Sequence, residues 1–329
     1  MRAAPATDEV VPAADEVVPA ADEVLAADEL LVISMSDLPT ELLQHIVIQA
    51  SSNVLEPRSA VCLSSASKEL RGSTHAVRQQ LQADHEEVLE LCLKVGMRSC
   101  KQLREAKTID LRGKDLSAAD VALLGTLGAV LPALQSLTLF AGKAAGLEGV
   151  QRLAAGLGAG ALPAVTHLSF ACTRVDEAGS SALASALDRG ALPRLATLNL
   201  SSAAIGDAGL VALAPALRRM PALEHLILPG NPLGDAGLAA LVPPPPAAGA
   251  PPPPHGGLTK LKLLNLSETQ ITDASCTTLA SVPYSRTLPA LERVVLSGTP
   301  AGGAARAAVK RAYHGAADGA RPRSTCRIE

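Results

Sequence analysis

The pattern L-x-x-L-x-L returns along the last two-thirds of the chain, and no other feature limits the fold as strongly. It stands as Leu134-Leu137-Leu139, Val165-Leu168-Phe170, Leu195-Leu198-Leu200, Leu223-Leu226-Leu228, Leu261-Leu264-Leu266 and Leu291-Val294-Leu296, with a weaker first copy at Ala106-Ile109-Leu111. The final members are separated by 28, 31, 30, 28, 38 and 30 residues. In each copy the last two apolar positions alternate with other residues, which is the period of a half-buried strand. A unit of this length cannot bury an apolar face alone, so neighbouring units must stack and share a core.

A turn and a helix follow each strand. "VDEAGSSALASAL", "IGDAGLVALAPAL", "LGDAGLAALV" and "ITDASCTTLASV" are versions of one element. Asp207, Asp235 and Asp273 stand at the helix start, where a carboxylate can accept orphan backbone N–H groups. Leu210, Leu213 and Leu217 then continue at helical spacing. Return segments such as "LPAV" and "LPRL" place proline ahead of the next ladder, where its missing N–H does no harm. This unit resembles the leucine-rich repeats of the ribonuclease-inhibitor type, over residues 106–313. The resemblance implies an α/β solenoid, a horseshoe with a parallel concave sheet of about seven strands and convex helices. The Asn that this repeat type carries after the strand is present only as Asn231; Ala203, Thr269 and Thr299 replace it elsewhere.

Composition agrees with thin stacked layers. Phe140, Phe170, Tyr284 and Tyr313 are the only aromatic residues, so the core must be Leu, Val, Ile and Ala. The net charge of −3 excludes a strongly basic nucleic-acid binder. Residues 1–34 hold eight acidic residues against Arg2 alone, in a repeated "DEVVPAA" broken by Pro12 and Pro19. That segment is expected to be a disordered acidic leader. The six cysteines include no C-x-x-C, and the N-terminal residues do not read as a signal peptide. Reduced thiols in the cytoplasm or nucleus are therefore expected. The longest uncharged run, 236–254, is broken by proline, so no membrane span is expected.

Between leader and repeats stands "DLPTELLQHIV", residues 37–47. Pro39 suits a first helical turn, Glu41 suits the positive end of the dipole, and Leu42, Leu43, Ile46 and Val47 form one apolar stripe. The pattern L-P-x-E-L-L-x-x-I resembles the first helix of the F-box. "LEPRSAVCLSSASKELR", 55–71, runs in step with its later helices, with Leu70 where the family carries Trp. The resemblance implies an F-box-like unit over 35–72 that docks on a Skp-type adaptor of cullin–RING ubiquitin ligases through Leu38, Pro39, Glu41, Leu42, Leu43 and Ile46. Residues 73–105 would be linker helices. The other reading is that these helices are simply the N-terminal cap a solenoid needs.

No catalytic motif is present, and no cofactor or metal site is expected. The glycine-rich run 156–160 follows a helix and precedes a strand, the reverse of a phosphate cradle. The seven histidines do not pair with cysteines at metal spacing. Function should then sit on the concave face, read by the residues that flank the fourth position of L-x-x-L-x-L. From the third unit on, the candidates for binding a protein substrate are His167, Asn199, His225, Ile227, Leu263, Asn265, Arg293 and Val295. Ile227, Leu263 and Val295 are apolar where a solvated face would be polar, which favours a partner site. The alternative is that the tail, 314–329, folds back over these strands. Asn199 and Asn265 also open N-x-S sequons, inside expected strands. The run "PPPPAAGAPPPPHGG", 243–257, explains the single long spacing and is a tolerated insertion or a ligand for a polyproline-binding domain. The functional expectation is a substrate receptor of an SCF-type ligase. The alternatives are a leucine-rich scaffold or inhibitor, and a GTPase-activating protein using Arg112 or Arg293.

Overall fold

The structure is a computed structural model that describes residues 42, 45–48, 54–55, 57–65, 68–114, 116–139, 146–158, 160–242, 258–281 and 288–314. The acidic leader, Leu38, Pro39, Glu41, Leu43, the proline insertion and residues 315–329 lie outside them.

Among the described residues, the helices nearest the sheet on its N-terminal side are α1 (Arg58–Ser64), α2 (Lys68–Ser73), α3 (His75–Val95) and α4 (Cys100–Glu105). The long helix α3 buries Leu81, Val88, Leu91 and Cys92 and stops at Gly96, whose φ of 90° is left-handed. Val88, Leu91, Cys92, Cys100 and Leu103 belong to the same core as Ile109 in the first strand. The helices α3 and α4 therefore close the N-terminal end of that core. One ion pair reinforces the junction, with Lys94 Nζ 2.8 Å from Asp120 Oδ1.

The repeats follow as expected. The strands are β1 (Thr108–Asp110), β2 (Ser136–Thr138), β3 (His167–Ser169), β4 (Thr197–Asn199), β5 (His225–Ile227), β6 (Leu263–Asn265) and β7 (Arg293–Val295). The helices between and after them are α5 (Ala118–Thr126), α6 (Gly146–Gly156), α7 (Asp176–Asp188), α8 (Asp207–Arg219), α9 (Asp235–Leu241), α10 (Asp273–Ser281) and α11 (Gly303–His314). All strands are parallel and ordered β1 to β7, each paired with the next in sequence. Ile109, Leu137, Leu168, Leu198, Leu226, Leu264 and Val294 form one buried ladder row. Leu111, Leu139, Phe170, Leu200, Leu228, Leu266 and Leu296 add a second buried row beneath the turns.

The pairing continues past the strands. Cys172 N donates to Ser201 O, Ser202 N to Pro229 O, Gly230 N to Ser267 O, and Glu268 N to Ser297 O. Every one of these turns, and those at Gly113 and Gly298, puts its second residue at positive φ. Glycine takes that conformation freely, whereas Cys172, Ser202 and Glu268 hold it at φ 50–55° against a cost of about 1 kcal/mol each.

Side chains join units across their boundaries. Asn231 is buried, and its Nδ2 donates to Leu200 O at 2.7 Å and Leu228 O at 2.8 Å. Its Oδ1 accepts from Ala203 N and Ile205 N, both at 3.0 Å. The Thr269 and Thr299 hydroxyls each replace only one of those bonds, donating to Leu266 O and Leu296 O. The carboxylates at the helix starts differ from expectation. Asp207 does not cap its own helix; its Oδ1 accepts from Gly234 N at 2.6 Å and Gly237 N at 2.9 Å, at the start of α9. Asp235 accepts from Thr272 N at 3.0 Å, ahead of α10, and Asp273 from Gly302 N at 2.6 Å, ahead of α11. Each carboxylate thus supplies the missing acceptor to the next unit. The reason is register: stacking sets the first turn of one helix beside the orphan N–H groups of the following one.

Candidate interaction surface

Each three-residue strand turns its middle residue inward and leaves its first and last on the outer face of the sheet. The register aligns the first positions into one row: Thr108, Ser136, His167, Thr197, His225, Leu263, Arg293. The last positions form a second row: Asp110, Thr138, Ser169, Asn199, Ile227, Asn265, Val295. Every concave-face candidate named from the sequence falls in one of these rows. His167 and His225 share the first row with Thr197 between them. His225 Nδ1 lies 3.2 Å from Thr197 Oγ1, and His167 Nδ1 lies 2.8 Å from Thr166 Oγ1.

The two halves of the face differ chemically. The first half is small and polar, and its one strong charge pair is internal. Arg112 binds Asp110 through both Nε and a terminal nitrogen, at 3.0 and 2.6 Å. Those bonds from Arg112 hold the Asp110 carboxyl below the usual carboxylate range. In the second half Ile227 and Leu263 are half-buried and diagonal to each other across the β5–β6 pairing. Lys262 Nζ donates to Glu224 Oε2 at 2.8 Å along the neighbouring edge, and this bond keeps the Glu224 carboxyl low. His225, Asn265 and half-buried Arg293 complete a polar rim.

Two expectations need correction. Val295 lies in the outward row but is only 8% exposed, so it offers a partner little surface. It is a short branched side chain on the last strand, beside its ladder partner Asn265 and diagonal to Leu263. Asn199 and Asn265 have a structural task that the sequence reading missed. Asn199 Oδ1 accepts from Ser201 N at 3.0 Å and from its hydroxyl at 2.5 Å. Asn265 Oδ1 does the same with Ser267, at 3.1 and 2.7 Å. The N-x-S spacing noted as a sequon is the signature of these strand-ending Asx turns.

At the other end, the helical residues Leu42 and Ile46 are exposed, whereas Val47 is buried. The single apolar stripe expected there is thus divided between solvent and core. Among the described residues the five cysteines are free, and no group of His, Cys, Asp and Glu could hold a metal ion. Burial, with Cys100 alongside, pushes the Cys92 thiol up to about 12. No helix among the described residues is long and apolar enough to cross a membrane.

Residues 194–214, 220–242 and 257–280 match the family model described as Leucine Rich repeat. These three segments are similar to leucine-rich repeats. Each matched leucine-rich repeat runs from a return segment through one strand and turn into one helix, namely β4 to α8, β5 to α9 and β6 to α10. No curated protein matches the chain. Leucine-rich repeats are interaction scaffolds, and the two outward rows are the part of such a scaffold that can meet a partner.

Proposed function

We propose that the chain is a protein–protein adaptor, the substrate receptor of a cullin–RING ubiquitin ligase. In this reading the concave face holds a protein substrate, and the N-terminal helices engage a Skp-type adaptor. The observation that carries the substrate half is the pairing of Ile227 with Leu263 inside a polar rim, on the open face of a scaffold whose core leucines are already buried. Apolar anchors set in a polar border are the anatomy of a partner site. The adaptor half is supported by Leu42, 52% exposed, and Ile46, which stand four residues apart and face away from the core. Leu38, Pro39, Glu41 and Leu43 would extend that contact. The chain performs no covalent step here; it raises the effective concentration of the substrate near the transfer machinery.

Two experiments test the halves separately. A pull-down compares wild type and Leu42→Asp against the host's Skp-type adaptor. Capture by wild type and loss in the variant are expected, with unchanged melting. No capture by wild type, where a known F-box protein binds, removes the ligase role and leaves a leucine-rich scaffold or inhibitor. Ile227→Asp and Leu263→Asp should each abolish substrate binding while leaving the array folded; if both unfold it, these side chains belong to the core. A GTPase-activating role receives no support from Arg112, because Asp110 engages its guanidinium on two nitrogens.

A further inference from the structure

The formal charge of the chain sits at its two ends. Residues 1–34 carry eight carboxylates against Arg2, about −7. Residues 303–329 carry six Lys and Arg against Asp318 and Glu329, or +4. Everything between, 35–302, holds 22 residues of each sign and balances. The described part of the positive end is α11. It has Arg306, Lys310 and Arg311 and no acidic residue.

The placement of α11 makes that charge available. Val309 is fully buried and Ala305 packs on the core, so one face of the helix is committed to the array. Lys310 and Arg311 are exposed on another. Several exposed cations elsewhere have found partners: Lys94 with Asp120, Arg112 with Asp110, Arg152 with Glu148, Arg219 with Asp188, Lys262 with Glu224. Among the described residues none of the three cations of α11 makes an ion pair. A solenoid needs a polar face on its last unit, but either sign would serve that need. The N-terminal cap α3 mixes them, with Glu86, Glu87 and Glu90 beside Arg78 and Lys94. The single sign on α11 is what calls for a counterpart.

We propose that the outer face of α11 is a docking surface for the acidic leader of the same chain, residues 1–34, with Lys310 and Arg311 receiving its Asp-Glu pairs. The pairs at 8–9, 15–16, 22–23 and 28–29 recur every six or seven residues, so several can exchange on the same two cations. Reach is sufficient. Six strand spacings cover about 30 Å and six helix spacings about 55 Å, whereas 34 residues extend to more than about 100 Å. Tethering places the leader near α11 at an effective concentration of about a millimolar, so contacts that are weak singly still form. The result is a clasp between the two ends of an open array. Exposed ion pairs are screened beyond roughly 10 Å at 0.1 M salt, so the clasp loosens as salt rises. The inference is independent of the ligase reading, and adaptor capture does not enter its test.

Zero-length carbodiimide cross-linking of the full chain, read by peptide mass spectrometry, tests it. Lys310 is the only lysine in 303–329, and exposed Lys260 on the rim serves as the internal reference. The expected result is a leader-to-Lys310 yield roughly fivefold or more above leader-to-Lys260 in the monomer. That yield should fall about as far in 0.5 M salt. It should fall equally in Arg311→Glu, a variant that keeps Lys310 and whose melting curve checks that α11 still packs. A mixture of light and heavy-nitrogen chains should give cross-links within one isotope only. Yields spread evenly over Lys260 and Lys310, indifference to Arg311→Glu, or mixed-isotope pairs would each overturn the clasp, the last by moving the contact to a second copy.

Discussion

The helices α5 and α7 are capped at their starts by their own residues; α9, α10 and α11 are capped by the unit before them. In the first half Ser117 and Asp120 form a capping box on α5, with Ser117 N donating to Asp120 Oδ2 at 2.8 Å. Asp176 likewise accepts from Ala178 N at 3.0 Å and Gly179 N at 3.3 Å in its own helix. In the second half Asp207, Asp235 and Asp273 reach forward, and Asn231 ties the turn after β5 to the turn after β4. The first half is joined by close approach and by Arg189, whose guanidinium donates to Ala154 O and Leu157 O of the unit before it. A Cβ on Gly125 would stand 2.6 Å from Leu153 O, so α5 and α6 meet backbone to backbone. The difference teaches that stacked units can be locked by hydrogen bonds or by close approach. The half with forward caps is the one that matches the Leucine Rich repeat model.

The contrast can be broken at defined points. Asn231→Ala should have the largest effect, since it strips a buried side-chain partner from five backbone groups, at a cost of about 3 kcal/mol or more. Urea unfolding measures it; a loss below about 1 kcal/mol would mean that the ladder closes without Asn. Next comes Gly237→Ala, whose new Cβ would lie 2.7 Å from Asp207 Oδ1 and 3.2 Å from its Cα. A loss of about 1–3 kcal/mol is expected. Because the clash includes the carboxylate, the loss should shrink in an Asp207→Ala background. Additivity in that double-mutant cycle would show that the forward cap and the close approach are unrelated.

A smaller effect distinguishes the N-terminal junction. Burial pushes the Asp120 carboxyl up, but the bonds from Lys94 and Ser117 outweigh it and hold it below the usual range. A carboxyl lowered by folding stabilises above its unfolded value, about pH 4, and that contribution is lost as pH falls through the folded value. Asp120→Asn should therefore cost on the order of 1 kcal/mol at pH 7. The gap from wild type should close on acidification below about pH 4, read from melting at a series of pH values. Smallest is Glu268→Gly. It relieves a left-handed residue at φ 54° but adds freedom to the unfolded chain, for a net gain below about 1 kcal/mol.

Much of this geometry was legible in the sequence. A one-residue slip would have turned Leu137 or Leu226 out and Thr138 or Ile227 in, so the apolar positions alone determine which residues share a row. What the sequence conceals is direction and company. Asp207 reads as a cap whichever helix it serves, because nothing in "GDAGL" shows that the next helix start will be nearer. Asn265 reads as a surface residue until Ser267 is seen bound to it. The common left-handed turn is masked because Gly113, Gly230 and Gly298 alternate with Cys172, Ser202 and Glu268 at the same position. The segment around Ile46 and Val47 is less legible still, since both are apolar and only packing decides which one solvent meets.

The brevity of the strands has a consequence for how such a protein can change. Each strand contributes two outward residues and one inward, so the whole recognition face amounts to two letters per unit on seven units. Most of those letters lie outside the buried leucine rows and apart in sequence from the carboxylates that link helix to helix. Partner choice can therefore drift by single substitutions at most of these positions, though not at Asn199 and Asn265, which hold their turns, or at buried Val295, and a new unit inserted between two others would arrive with its own two letters already in line.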